Sequence, residues 1–427
     1  MTRKILRNCK VLDVHGQKVL ERRSILIEGP RIKRIGLTEE IAAFEKELPR
    51  ESVMEVNGEL VMPGLIDTHV HLCIIRTDSE LDTLAENLRA PETLKVLYGV
   101  RHAKATLESG ITTVRDMGQG DNLALREAIE KGVVLGPRIV ACGWLGMTSG
   151  HGEQMASEWR FNTSLREADI GVDGPWEIRK KVRQLVGQGV DFIKTYATGG
   201  GYIRHPFYPY WMERPNYTLE ELRALVDEAH SAGRRVAAQG LTNPAGTKNA
   251  IAAGIDTLEH GLVLDEDDVK QMKAKGIFYV PTLAVTRAMW GGDEEDGMKY
   301  LRLERGEAKR FLEEQLASLE RARRAGVKIA MGSDSFRVLK HGENVQEMEI
   351  RGKAGIPIME VLVSATKTAA EALGIEHMVG SLEEGKLADL LVVDPDPTKD
   401  ISVLRHKKNL KMIMKNGEVI CSQLWRN

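Results

Sequence analysis

Two histidines one residue apart, His69 and His71, end the stretch Leu65-Ile66-Asp67-Thr68-His69-Val70-His71. Read as a strand, its side chains alternate with period two. Leu65, Asp67, His69 and His71 then share one face, and Ile66, Thr68 and Val70 the other. Two imidazoles on one strand face can grip a single metal ion. Imidazole nitrogen suits zinc and similar borderline ions, and a catalytic site needs a few such ligands plus an open position for water. A strand that merely holds two histidines would look the same in isolation, but Met62-Pro63-Gly64 precedes this one as a stop and turn. Lys194 is a second candidate, near the end of the mostly apolar run Val190–Tyr196. It could snorkel or pair with an acid. If buried, it is easily driven neutral, and a neutral amine is nucleophilic.

The stretch Val61-Met62-Pro63-Gly64-Leu65-Ile66-Asp67-Thr68-His69-Val70-His71 resembles the opening of the amidohydrolase superfamily, metal-dependent hydrolases built on a (β/α)8 barrel. The resemblance runs over nearly the whole chain. It points to the branch holding Xaa-Pro dipeptidases and arginine-carboxypeptidase-like enzymes, with imidazolonepropionase a looser relative. It implies that Lys194, in Phe192-Ile193-Lys194-Thr195-Tyr196-Ala197-Thr198-Gly199-Gly200, adds carbon dioxide to form a carbamate that bridges two metals. It implies that His260, in Leu258-Glu259-His260-Gly261, binds the second metal. It also implies that Asp334, closing Ala330-Met331-Gly332-Ser333-Asp334, binds the first metal and takes a proton from the attacking water. A carboxylate so placed can return that proton to the leaving group; the alternative for Asp334 is a helix N-cap.

One position departs from the resembled pattern. Where the family has a histidine after the fifth strand, this chain reads Val236-Ala237-Ala238-Gln239. An amide oxygen is a weaker, harder ligand than imidazole. The second metal site is weak or empty, or Gln239 ligates through its oxygen, or the position carries an engineered substitution; the first two readings together are favoured. His230 lies within the preceding helix and is no substitute.

Further residues are candidates for the substrate. His151, in Ser149-Gly150-His151-Gly152, resembles a family motif lining the pocket and could stabilise an oxyanion; a loop histidine without a role is the alternative. Tyr196 shares a strand face with Lys194 and could contact a substrate carbonyl or simply pack. Tyr202, Arg204 and His205 follow the same strand. Arg204 could hold a carboxylate bidentately or remain a solvated loop arginine. His341-Gly342-Glu343-Asn344 resembles a family motif and reads as structural support. The long segments Trp144–Trp176 and Tyr202–Tyr217 are expected to wall the pocket.

These residues need a scaffold that brings them together. The first sixty positions are short β-rich pieces, Lys4–Val14, Ser24–Ile27, Arg31–Ile35 and Val53–Val56. The C-terminus returns to that style at Asp389–Val393, Lys411–Met414 and Val419–Ile420. Asn57-Gly58 and Asn416-Gly417 fit two-residue hairpin turns. Between these ends strand and helix alternate. After the His-x-His strand come Ile111–Asp116, Arg138–Ala141, Val190–Tyr196, Arg235–Ala238, Ile255–Leu258, Ile277–Val280 and Lys328–Met331. Pro91–Ser109 reads as a helix, and Thr218 with Glu221 as a capping box. Eight strands in this order predict an α/β fold, a (β/α)8 TIM-type barrel, with every candidate at a strand C-terminus, where such barrels carry their active sites. The expected division is a β-sandwich from residues 1–61 plus 381–427 and a hydrolase barrel over 62–380.

Composition bounds the rest. A chain of 427 residues, 42% hydrophobic, can bury a large core. Sixty basic against 62 acidic residues leave a net charge of −2, so no basic stripe points to nucleic acid. Cys9, Cys73, Cys142 and Cys421 are scattered and read as free thiols of a reducing compartment. No secretory leader and no bilayer-spanning run is seen, so a cytoplasmic homo-oligomer with no membrane contact is expected. The predicted activity is hydrolysis of an amide-type C–N bond in a small molecule, a dipeptide or N-acyl amino acid, by metal-activated water. The metal is expected to be zinc, one ion tight and a second weak. A urea or carbamate, including xenobiotic phenylureas, is the alternative substrate, and a catalytically crippled binding protein on the same fold is the third reading.

Overall fold

Two sheets account for the strand-rich ends and the alternating middle. In the computed structural model, residues 2–77, 80–147, 171–198, 215–241, 244–290, 305–336 and 339–424 are described. The N-terminal strands are β1 (Arg3–Asp13), β2 (Lys18–Glu28), β3 (Arg31–Leu37), β4 (Val53–Glu55) and β5 (Leu60–Pro63). The barrel strands are β6 (Leu65–Val70), β7 (Ile111–Asp116), β8 (Arg138–Trp144), β9 (Phe192–Tyr196), β10 (Arg235–Gly240), β11 (Thr257–His260) and β12 (Phe278–Val280). The chain ends with β13 (Leu390–Val393), β14 (Leu410–Lys415) and β15 (Glu418–Ser422).

Strands β6 to β12 form one parallel sheet in chain order, and the two termini form a separate mixed sheet ordered β15-β14-β13-β5-β1-β2-β3, with β4 on β1. This is the α/β architecture expected, a TIM-type barrel with a β-sandwich domain built from both ends of the chain. Among the described residues no helix is long and apolar enough to cross a membrane.

Gly64 joins the two units. Its amide donates to Asp389 O at 2.9 Å in the terminal sheet, and the next amide, of Leu65, donates to Gly110 O at 3.1 Å in the barrel. A Cβ at residue 64 would lie 2.2 Å from Thr112 Oγ1, so only glycine passes there. The Asn416-Gly417 turn is the hairpin expected: both residues have positive φ and Lys415 pairs with Glu418. Asn57-Gly58 corrects the expectation. Both residues have positive φ, yet β4 and β5 pair not with each other but in parallel with successive parts of β1. The turn shifts the chain along β1 instead of reversing it.

The eighth strand is a second correction. Lys328–Met331 forms only an isolated bridge, Tyr279 with Ile329. It still closes the barrel. Tyr279 N donates to Lys328 O and Ala330 N to Tyr279 O, both at 2.9 Å, while Thr68 N donates to Met331 O at 2.9 Å and Asp334 N to His69 O at 2.8 Å. Buried side chains hold this segment in place. Arg351 donates to Ala330 O at 2.9 Å and to Glu347 at 2.9 Å. Asp67 accepts from Ser333 N at 3.0 Å, Ser333 Oγ at 2.5 Å and Asn344 Nδ2 at 2.8 Å. Gly332 gives the close approach, since a Cβ there would lie 2.4 Å from Val280 Cγ1. Thr218 and Glu221 form the reciprocal capping box, and Glu92–Leu107 is the helix expected over 91–109.

Asp67 and Asn344 are both buried. Removing one donor leaves a buried carboxyl oxygen short of a partner. Asn344→Leu is therefore expected to destabilise the fold by about 1.5–3 kcal/mol. Denaturant unfolding measures this, and an unchanged midpoint would contradict the role given to Asp67.

Candidate active site

The C-terminal ends of β6, β9, β10, β11 and the eighth segment converge on one point. There the ligand atoms of His69, His71 and Asp334 all lie within 4.8 Å of one another. Asp334 Oδ1 is 3.5 Å from Nε2 of each histidine. All three residues are buried. His69 lies in β6 and His71 one residue beyond its end.

Each imidazole is held by its far nitrogen. His69 Nδ1 is 2.7 Å from Glu259 Oε2, and Glu259 Oε1 accepts from Arg115 Nη2 at 2.6 Å. Arg115 also donates to Thr68 O at 2.6 Å and Thr257 Oγ1 at 2.8 Å. His71 Nδ1 donates to Gly118 O at 3.2 Å. With Nδ1 carrying the proton, both Nε2 lone pairs face the common point, as a metal ligand requires. His341 Nε2 donates to His71 O at 3.2 Å and stacks on His102 at 4.5 Å, which is the supporting part expected of it.

Lys194 Nζ and Asp334 Oδ1 are both buried without a hydrogen-bond partner. Burial lowers the Lys194 pKa to about 8, against the opposing charges of Glu259 and Asp334. Burial raises the Asp334 pKa to about 8, with Lys194 pulling the other way. Orphaned buried polar atoms are costly. Two of them beside two oriented imidazoles fit a site for a divalent cation. The Lys194 ammonium nitrogen lies 5.3 Å from the centre of the Tyr196 ring, which meets Trp144 edge-on at 5.8 Å. Tyr196 thus shares the face of Lys194 as the alternation implied.

His260 and Gln239 form the neighbouring half of the site. The His260 ring lies 4.9 Å from that of His69. Its Nδ1 is 2.7 Å from Thr282 Oγ1, and its Nε2 is 3.2 Å from Gln239 Oε1. The two atoms that would ligate a second ion therefore hydrogen-bond each other. His151, Tyr202, Arg204 and His205 lie outside the described residues.

Sequence reasoning missed Glu259, Arg115 and Thr282 as parts of the site. A charged residue within a short strand run was the available signal for the first two. Backbone strain gave no signal at all: Asp334, His260 and Thr282 adopt φ of 55°, 67° and 52°. For residues with a side chain this costs on the order of 1 kcal/mol each, and such strain gathers at functional sites.

The chain is similar to several known hydrolases. The ochratoxinase of Aspergillus niger is 28% identical over 413 residues, spanning 90% of this chain and 82% of that protein. Its crystal structure matches with a TM-score of 0.81 at 25% identity, covering 99% of this chain and 96% of that one. A Xaa-Pro dipeptidase solved with methionine in its active site is 31% identical, with a TM-score of 0.82, covering 98% of this chain and 99% of that one. A prolidase complexed with N-methylphosphonate-L-proline is 30% identical, with a TM-score of 0.82 over 99% and 100% of the two chains. The family model described as the amidohydrolase family matches residues 60–420, from the strand before the His-x-His pair into the last strand of the terminal sheet. This chain belongs to the amidohydrolase family, metal-dependent hydrolases whose barrel architecture it shares.

Proposed function

We propose that this chain hydrolyses the amide C–N bond of a dipeptide or N-acyl amino acid, using one tightly held zinc ion. The observation that carries the reading is the buried pair Lys194 Nζ and Asp334 Oδ1, unpartnered beside His69 and His71. Relatives described as a Xaa-Pro dipeptidase and a prolidase support the substrate class. His69, His71, Asp334 and Lys194 would hold the ion, with His260 and Gln239 beside them. When bound, such an ion lowers the pKa of water toward neutrality and polarises a carbonyl.

The protein's own groups do the rest. Burial keeps part of Lys194 neutral near pH 8, and its Nζ lone pair can add to the carbon of carbon dioxide. One proton leaves to solvent, and an unpartnered donor becomes an anionic carbamate with two ligand oxygens. The Asp334 carboxylate takes the proton of the attacking water and delivers it to the departing nitrogen. Glu259, locked by Arg115, keeps His69 in the tautomer with Nε2 free. His151, Tyr196, Tyr202 and Arg204 are assigned as substrate contacts, with Arg204 on the substrate carboxylate.

Gln239 supports a second reading, a urea or carbamate substrate. Its amide offers a neutral hydrogen-bonding group where an imidazole would favour an ion. Turnover of dipeptides, N-acyl amino acids, phenylureas and carbamates by zinc-loaded protein separates the two readings. The first class is expected to react, and Asp334→Asn to lose at least roughly 100-fold in rate. Near-normal turnover in that variant would remove Asp334 from proton transfer.

The hydrogen bond between His260 and Gln239 must break before a second ion enters. About one metal ion per chain is expected to survive dialysis, rising toward two in Gln239→His. Two ions retained by the unaltered protein would show that the weak-site argument is wrong. The pKa shifts set a pH dependence. Without metal, Asp334 holds its proton up to about pH 8 and Lys194 loses its own only near that pH. Metal binding needs both groups deprotonated, so affinity should rise with pH from 6 to 8, by roughly tenfold per unit for each proton released. Competition with a chelator at several pH values measures this, and a flat profile would contradict it.

A further inference from the structure

The opposite face of the barrel holds a second cavity, of about 430 Å³, bounded by the first residues of three strands: Arg138 of β8, Phe192 of β9 and Arg235 of β10. Four guanidinium groups line it: Arg115, Arg126, Arg138 and Arg235. Three of them have a carboxylate partner. Arg115 pairs with Glu259 at 2.6 Å, Arg126 with Asp191 at 2.7 Å, and Arg138 with Asp389 at 2.5 Å. The remaining acid in the wall, Glu130, lies 4.0 Å from Arg126.

Arg235 is different. Its Nη1 donates to Glu371 O at 2.5 Å and Ala372 O at 2.7 Å, carbonyls in the last turn of the helix Lys367–Leu373. These bonds fix the guanidinium plane at the helix C-terminus. Its Nε and Nη2 have no hydrogen bond among the described residues, and no carboxylate there pairs with it. That free edge is the one with two parallel donors, which matches carboxylate and phosphate oxygens bidentately. The charge of Arg235 also bears on Arg115, whose pKa burial lowers and Arg235 lowers further. Beside the charged edge the wall is apolar, formed by Val140, Phe192, Leu373 and Met378. A cavity of this volume is in the range of small-molecule sites.

We propose that this mouth of the barrel is a binding site for a small amphipathic organic anion, its carboxylate or phosphate head on Arg235 and its apolar body against Phe192 and Met378. The site opens at the opposite end of the barrel from the strand C-termini, shares only Arg115 with the support of His69, and does not rest on the substrate proposed above. The test is calorimetric titration of the full chain with benzoate, phenyl phosphate and neutral benzamide. Both Arg235→Gln and Met378→Glu are compared with the unaltered protein. The second variant keeps the helix-capping bonds of Arg235 and sets a competing carboxylate in the cavity, so it decides the matter if the first fails to fold. At least one of the two anions is expected to bind the unaltered protein, benzamide not to bind, and both variants to bind the anion at least tenfold more weakly. A preference for phenyl phosphate identifies a phosphate ester head, and a preference for benzoate a carboxylic acid; either supports the site. No binding of either anion up to about 10 mM, near the weakest affinity worth the name, or undiminished binding in both variants, would overturn it.

Discussion

An amine and a carboxyl oxygen, Lys194 Nζ and Asp334 Oδ1, are buried together in this barrel with no hydrogen-bond partner. Leaving such groups unsatisfied costs on the order of 1–3 kcal/mol apiece, and the surrounding structure prevents them from relaxing. The Asp334 backbone is anchored by its amide bond to His69 O and adopts a left-handed conformation. Lys194 cannot reach solvent, because it stands inside the barrel beneath the Tyr196 ring. His69 cannot turn, because Glu259 and Arg115 clamp its far nitrogen. His69, His71 and Asp334 are thereby oriented as a group that could hold a divalent cation.

The same logic explains the fold around the site. The closing segment Lys328–Met331 has too few ladder bonds to count as a strand, and side chains compensate. Asp67 reaches it from β6, and Arg351 reaches it from the helix behind. These interactions fix the distance between the His-x-His pair and Asp334, so stability and ligand geometry share residues. Strand β11 carries both Glu259, which orients one imidazole, and His260, which supplies another.

Much of this could be read from the sequence. His69 and His71 stand out by their spacing on one strand face, whereas Lys194, His260 and Asp334 are legible through the motifs that resemble the amidohydrolase superfamily. Strand order followed from the alternation of short apolar runs with helices. What stayed hidden depends on distant pairs. Arg115 and Glu259 are 144 residues apart, and Asp67 and Asn344 are 277 apart. No local pattern announces that two charged residues will meet inside a barrel. Turn chemistry misled once: Asn57-Gly58 has the conformation of a hairpin turn, but which strands flank it is decided by β1. The uncompensated edge of Arg235 was invisible for the same reason, since an arginine's partners belong to the tertiary structure.

The central claim is that the buried lysine, the carboxyl and the two imidazoles form one ligand set for a tightly held ion. Anomalous diffraction from crystals of the zinc-loaded protein tests it most directly. The account predicts one strong peak among His69 Nε2, His71 Nε2 and Asp334 Oδ1, with density beyond Lys194 Nζ for a carbamate. A peak elsewhere in the chain, or a bare amine at Lys194 with the ion in place, would contradict it.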